Sequence, residues 1–376
     1  MKLVIKKLVL QSLVEKAGSI VSGAGREMLP VLKNLYMEAS LVDGRPRLRV
    51  VATDLDLAVI AESEMIQLEE PGTSIIPAKK LIDMVKEAGD VEIRLSTAND
   101  IATIVTPATS WSIPLMRDKY PPLPDTGTVQ WFSVPSEPFA SALKKVRNAI
   151  SADLDKRPEL TLVKCGPDGI FATDGARLHA ASLSVPIDFE LPAPAVDDLA
   201  RLMRGDQGDA IRVAQSTSHI LFEIANHVFI ATKLQVQFPS IQHIVASKQA
   251  STMELQVCRE DLVNAIKRAR ITADEETNRI MLTLDNHSLL VETRDKMGAA
   301  CRESLAVHWN LPLFKVATNW MYLFQAVQDM EAPNIRMLFG QDRGRQKAPI
   351  LIEEPNFYAI INQLRVDESP AVELVK

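Results

Sequence analysis

Apolar positions along this chain follow two rhythms, one helical and one alternating, and the rhythms succeed each other in a recurring order. Three stretches show helical spacing: "LQSLVEKAGSIV" from Leu10, "FASALKKVRNAI" from Phe139 and "LVNAIKRARITA" from Leu262. In the second, Phe139, Leu143, Val146 and Ile150 fall on one stripe, so Lys144 and Lys145 are expected off it, facing solvent. The three overlay on a common core of an apolar pair, two long polar side chains and a small or branched apolar residue. The matching segments are Leu13 to Ala17, Ala142 to Val146 and Ala265 to Ala269. Each is followed by strand-like alternation, in "LRVVATDLDLAVIAE", "GIFATDGARLHAASL" and "LLVETRDKMGAACRESLAV". Thr53, Thr173 and Thr293 stand 120 residues apart in these tracts.

A further helix is expected after each tract. Two open on proline, "PAKKLIDMVKEAG" from Pro77 and "PAPAVDDLARLMRG" from Pro192, where proline suits a first turn, and the third is "VATNWMYLFQAVQDM" from Val316. Alternating strands close each copy, in "VEIRLSTANDIATIVT", "AIRVAQSTSHILFEIANHVFIATKL" and "NIRMLFGQDRGRQKAPILIEE". The pattern predicts an α+β chain of three tandem copies of one unit, each with two helices and a larger number of strands. Boundaries are expected in the turn-rich "KYPPLPDTGTVQ" and the polar "VASKQASTME", giving units 1–127, 128–251 and 252–376.

Length and composition agree with this division. At 376 residues, with 47% hydrophobic and 24% charged residues, the chain suits two or three globular domains rather than a disordered polymer. No apolar run approaches the roughly 18 residues of a spanning helix, and the N-terminus carries charge where a signal peptide would be apolar, so a cytoplasmic location is expected. Cys165, Cys258 and Cys301 are odd in number and far apart, which argues against both a disulfide framework and a zinc site. A formal charge of -6 disfavours general attraction to nucleic acid, yet only the face that meets phosphate must be basic.

The ordered set "SGAGREMLPVLKNLYMEA", "VATDLDLAVIAE", "PAKKLIDMVKEA", "DKYPPLPD", "FATDGARLHAASL", "IATKLQVQFPSI" and "YAIINQLRV" resembles the bacterial sliding clamp family, the beta subunit of DNA polymerase III, from about residue 1 to Val366. The resemblance implies three sliding-clamp domains, each with two helices packed on antiparallel sheets, in a head-to-tail homodimer. Such a dimer closes as a ring around double-stranded DNA, without sequence preference, and tethers the polymerase. No catalytic residue, metal or cofactor belongs to that function. A repeated basic helix face in front of strands fits an annulus lined by helices, and head-to-tail contacts close when their rotation completes a turn.

Three sites follow from it. For the DNA-facing lining, Arg26 (four residues before Pro30), Lys79 and Lys80 come from the family's motifs. Lys16, Lys144, Lys145, Lys267 and Arg268 come from the repeated helix face, and all would attract phosphates by charge alone. Where the family usually has basic residues opening the middle domain's second helix, this chain has Ala193-Pro194. The second site is a cleft for the short linear peptides of polymerase, clamp loader and other partners. The resemblance assigns it Leu160, Thr173, Gly175, Arg177, Leu178, Pro239, His243, Ile244, Ile360, Asn362, Gln363, Leu364 and Arg365. Asn362, Gln363 and Leu364 replace a common Met-Pro-Met and His243 a common Arg, which should make the cleft more polar and less adaptable. The third is the dimer seam, where Trp111 and Ile113 of one subunit would meet Ile271 and Thr272 of its partner with strands pairing edge to edge. The acidic run usual before that seam is mostly missing from "DKMGAACRESL".

Other readings stay open. Asp54 and Asp56 form a D-x-D that, on a strand, would put two carboxylates on one face and suggest a metal-dependent nucleic-acid enzyme, although the second copy keeps only Asp174. The altered cleft and seam suggest instead a divergent second clamp, from a phage, plasmid or paralogue, with restricted partners. A ring-like protein that never encircles DNA is the least specific alternative. The final "DESPAVELVK" lies beyond the resemblance and is expected to be disordered or to cover part of the cleft.

Overall fold

Proline marks the joints between strand and helix in this chain, because it ends a ladder and suits a helix entry. The computed structural model describes residues 1–21, 29–124, 127–204, 208–246, 251–340 and 348–365. The elements run β1 (Lys2–Lys6), α1 (Lys7–Val21), β2 (Asn34–Val42), β3 (Arg45–Thr53), β4 (Leu57–Ser63), β5 (Ile66–Glu70), β6 (Gly72–Pro77), α2 (Ala78–Glu87), β7 (Glu92–Ala98), β8 (Ile101–Val105), β9 (Ser110–Pro114) and β10 (Phe132–Pro135). They continue as α3 (Ser136–Arg147), β11 (Leu162–Gly166), β12 (Gly169–Thr173), β13 (Arg177–Ala181), β14 (Phe189–Pro192), α4 (Ala193–Leu202), β15 (Ala210–Gln215), β16 (His219–Ile224), β17 (His227–Thr232) and α5 (Gln242–Ala246). The last are β18 (Ser251–Cys258), α6 (Arg259–Ala269), β19 (Arg279–Asp285), β20 (Ser288–Arg294), β21 (Ala300–Ala306), β22 (Phe314–Asn319), α7 (Trp320–Val327), β23 (Asn334–Gly340), β24 (Ile350–Glu354) and β25 (Phe357–Ile361).

The six helices expected from the spacing all form, and two differences in extent have clear causes. The segment expected to be helical from Val316 is strand through Asn319, whose side chain then caps α7 by accepting from the Met321 amide at 2.8 Å. The prolines at 77 and 192 end strands and stand just outside the helices they introduce.

Contacts group the chain into two compact units, Met1–Glu137 with Pro194–Leu234 and Pro138–Ala193 with Gln235–Lys376. Both follow one plan. The first contains an eight-stranded antiparallel sheet, β10-β15-β16-β17-β4-β3-β2-β6, and a five-stranded sheet, β5-β1-β7-β8-β9. The second contains an eight-stranded sheet, β14-β11-β12-β13-β25-β24-β23-β18, and a four-stranded sheet, β21-β20-β19-β22. In each long sheet, strands from the middle of the chain pair with strands from one end, β17 with β4 and β13 with β25. The compact units therefore cut across the expected boundaries near 127 and 251.

The cores are those that the helical stripes imply. Leu10, Leu13, Val14 and Ala17 of α1 are fully buried, with α1 packed on β3, β4 and α2. Phe139, Leu143 and Val146 of α3 are buried, as are Leu262, Ala265 and Ile266 of α6. Tyr120 of the "KYPPLPD" segment is 8% exposed and stacks at 5.6 Å on Tyr36, fastening this segment to the first unit. Burial pushes the Tyr120 phenol up to about 12.

Candidate peptide groove and basic helix faces

The doubled Ala-Thr-Asp is a turn. Thr53 Oγ1 donates to the Leu57 carbonyl and accepts from the Leu55 amide, while Asp54 Oδ1 accepts from the amides of Asp56 and Leu57. Thr173 and Asp174 repeat every one of these bonds with Arg177, Gly175 and Ala176. Such self-capping is what short polar side chains do where a ladder must reverse. Asp54 and Asp56 thus lie in a turn, not on one face of a strand, and Asp54 is spent on backbone amides. Among the described residues, no group of three or more His, Cys, Asp or Glu side chains could hold a metal.

From each turn a row of cross-strand partners crosses the long sheet. In the second unit it runs Thr173, Leu178, Ile360, Leu351, Leu338. In the first it runs Thr53, Ala58, Ile230, Leu221, Ala214. The Leu178, Ile360 and Leu351 side chains form a buried cluster, against which Phe171, Tyr358, Leu338, Ile241, Ile244 and Val245 pack half-buried. Alanines at two places make the first unit's row flatter, and Trp131 and Val129 pack on it.

The structure brings most of the expected cleft residues together around the second unit's row. Leu160 and Leu178 are buried, Ile360 nearly so, and Ile244 is half-buried on α5. Pro239 lies half-buried before α5, and His243 is exposed on it. Gly175 has φ +90°, a conformation that strains an L side chain, and a Cβ there would stand 2.9 Å from Arg157 Nη1 and 3.6 Å from Leu160 Cδ1, so glycine adopts this turn without strain and without moving Arg157. The segment after β25 is tied beside it: Asn362 donates its amide to the Ala176 carbonyl at 3.0 Å, and Leu364 bridges to Ala317. Asn362 and Arg365 are exposed, and Gln363 and Leu364 half-exposed.

Arg177 differs from the rest. Its residue is 8% exposed; Nε donates to Asp174 Oδ2 at 3.0 Å, Nη1 to Gln325, and Nη2 to the Asn148 carbonyl, while its plane lies 4.3 Å over Tyr322. Burial lowers its pKa, opposed by Asp174 and Tyr322. With all three nitrogens engaged, Arg177 orients the turn from inside. Sequence spacing missed Phe171, Tyr358 and Arg157; the first two lie two residues from Thr173 and Ile360, so strand alternation could have found them.

Of the expected lining residues, Arg26 lies outside the described residues, as does the tail from 367. Lys79, Lys80 and Lys267 are exposed. Lys144 is exposed and pairs with Asp329 at 2.9 Å. Lys145 corrects the expectation that it faces solvent: it is 9% exposed, bonded to Glu354 at 2.9 Å and paired with Glu331 at 3.1 Å. Burial alone would lower its pKa, but Glu354 and Glu331 together outweigh this and raise it. The homologous positions are also engaged inward. Lys16 is half-buried with Nζ 3.3 Å from His227 Nδ1, and exposed Arg268 grips Glu303 through two bonds of 2.6 and 2.9 Å. The cation at the second position of the shared polar pair therefore bonds within its own unit in all three helices.

Of the expected seam residues, Trp111 and Ile113 lie on β9, an edge strand of its sheet, whereas Ile271 and Thr272 lie on no strand but in the 3-10 turn Arg270–Thr272 that follows α6. Ile113 is buried by its own sheet and Trp111 is half-buried, whereas Ile271 is 79% exposed and Thr272 half-exposed.

A family model described as DNA polymerase III beta subunit, N-terminal domain, matches residues 1–124, and another, the C-terminal domain of the same subunit, matches residues 248–360. The beta sliding clamp of Chlamydia pneumoniae is 25% identical over 332 residues, covering 85% of this chain and 87% of that protein. That of Escherichia coli strain K12 is 25% identical over 333 residues, covering 85% and 88%. Among solved structures, the DNA polymerase sliding clamps of Pseudomonas aeruginosa and Caulobacter crescentus each superpose with a TM-score of 0.84, at 20% and 22% identity. Each covers 97% of this chain and all of the other.

Proposed function

The chain belongs to the DNA polymerase III beta subunit family, and from that premise we propose that it is a DNA sliding clamp: a non-catalytic homodimeric ring that encircles duplex DNA and holds the replicative polymerase to it. The observation that carries this is the ordered match of the family's N- and C-terminal domains to the two ends of one chain. In this reading the chain works in the cytoplasm as three clamp domains, 1–127, 128–251 and 252–376, two such chains making the ring. Lys79, Lys80 and Lys267 offer charge to phosphate, whereas Lys144, though exposed, is paired with Asp329. Salt-screened attraction of this kind needs no base contact, so the ring moves along the duplex while topology retains it.

Partner peptides would seat an apolar side chain over Leu178, Ile360 and Ile244, beside the open turn at Gly175. Asn362 and Gln363 supply the rim with amide donors and acceptors, and this supports a clamp specialised for particular partners. A fluorescent peptide from a typical polymerase tail is expected to bind more weakly here than to an ordinary clamp; equal affinity in a polarisation titration overturns the specialisation. At the seam, Ile271 is the exposed apolar residue to be covered by the partner subunit, with Trp111 on the opposing edge strand.

Loading onto nicked circular DNA with a clamp loader tests the whole reading. The protein should survive a high-salt wash on circles and be lost once they are linearised. Loss from both forms would reduce it to an ordinary electrostatic binder.

A further inference from the structure

The acids that face α3 decide how much of its charge reaches solvent. Asp329 stands in the turn between α7 and β23, and both of its oxygens are used: Oδ1 by Lys144 at 2.9 Å and Oδ2 by the Asn148 amide at 3.0 Å. Its side chain is 18% exposed against 69% for Lys144, so a carboxylate held in place meets a lysine free to choose its partner. Two residues on, Glu331 accepts from Ser141 at 2.8 Å and pairs with Lys145, whose ammonium is held independently by buried Glu354. Lys79, Lys80 and Lys267 have no ion-pair or hydrogen-bonding partner among the described residues.

We propose that Asp329 is an internal stand-in for a DNA phosphate: it occupies Lys144 and keeps α3 from contributing to DNA attraction, which is left to Lys79, Lys80 and Lys267. The inference rests on the reading of the chain as a DNA clamp. A phosphate that reaches Lys144 must displace a carboxylate, and the cation released from the DNA is offset by one that the freed carboxylate takes up, so affinity and its salt dependence both stay low. The lysine side of the pair is open to solvent, which allows exchange and makes the contribution adjustable. Glu331 lies near enough to feel the Lys144 charge, but its direct bonds go to Ser141 and Lys145, and Lys145 stays on Glu354 without it, so its removal frees no lysine.

Two substitutions of equal charge separate this from a general change in net charge. In anisotropy titrations of the full-length protein with a fluorescent linear duplex between 50 and 200 mM salt, Asp329→Asn should steepen the log–log slope by about 0.9, the value of one added phosphate contact. The ratio of affinities at the two salts should then grow about 3.5-fold. Glu331→Gln should leave the slope at the wild-type value, and Asp329→Asn with Lys144→Ala should restore it. Matching urea midpoints would show that all variants fold. Equal effects of the two acids, or an unchanged slope in Asp329→Asn while Lys79→Ala with Lys80→Ala flattens it, would overturn the proposal and leave the clamp reading standing. Absence of salt-sensitive binding in wild type and Asp329→Asn alike would remove both.

Discussion

Lys145 shows how a side chain's surroundings reverse what its place on a helix suggests. One position off an apolar stripe it reads as solvent-facing, yet it is inserted between Glu354, whose side chain is 2% exposed, and Glu331. Removing one partner of a buried pair strands the other charge, so Lys145→Met should destabilise the protein by about 3–5 kcal/mol in urea unfolding. Adding Glu354→Gln should recover much of the loss, and a single substitution that proves neutral would show the pair to be well solvated. Leu55 is a second case. It occupies the place of Gly175 in the equivalent turn with φ +83°, the residue 56% exposed, which places an L-residue in the left-handed region with little burial to offset the strain. Leu55→Gly is expected to stabilise by roughly 1 kcal/mol, and a lower thermal midpoint in the variant would argue that Leu55 makes contacts that outweigh its backbone strain.

Pairs of elements share another device, a buried neutral histidine where a helix meets a strand. His179 of β13 is fully buried, and because its Nδ1 lies 2.9 Å from the Lys145 carbonyl, that nitrogen carries the proton. Burial holds its pKa down at about 4. His227 of β17 is 1% exposed and lowered to about 3, by burial and then by the Lys16 ammonium, which donates to Nδ1. Both groups bind protons more readily unfolded, near the ordinary value of about 6.5. Their contribution to stability is therefore complete above that pH and is lost as pH falls from about 6.5 toward 4 and 3. Each unit of depression corresponds to about 1.4 kcal/mol, so urea midpoints should drop clearly between pH 7 and 4.5. His179→Gln and His227→Gln should each flatten that dependence even while lowering stability at neutral pH. A midpoint independent of pH in the wild type would contradict both assignments.

For the chain as a whole, the repeat is legible at the level of units, while at the level of single residues it does not tell a solvent-facing lysine from a buried one such as Lys145. Helix positions, the ordered strands and the turn at Ala-Thr-Asp follow from periodicity and short polar side chains, and the turn recurs bond for bond. By recurrence the shared cation of the repeated helices suggests DNA contact, and in the structure Lys16, Lys145 and Arg268 each engage a partner in their own unit, with only Lys145 buried. Recurrence selects for anything the copies have in common, and an internal anchor recurs as faithfully as an external contact. Among the described residues no helix is long and apolar enough to cross a membrane.

Local chemistry was therefore readable in advance: stripes that bury, turns that cap themselves, prolines that end strands. Each depends on neighbours within a few positions, where spacing dictates geometry. Which middle strands pair with which end of the chain, that Thr173, Leu178, Ile360, Leu351 and Leu338 form one row, and that Asp329 faces Lys144 while Glu354 removes Lys145 from solvent were settled by folding. The long-range members of that set, β17 with β4, Leu178 with Ile360, Lys144 with Asp329 and Lys145 with Glu354, join residues about 165 to 210 positions apart, and charge or apolarity in a sequence carries no record of the distance at which it will find its partner.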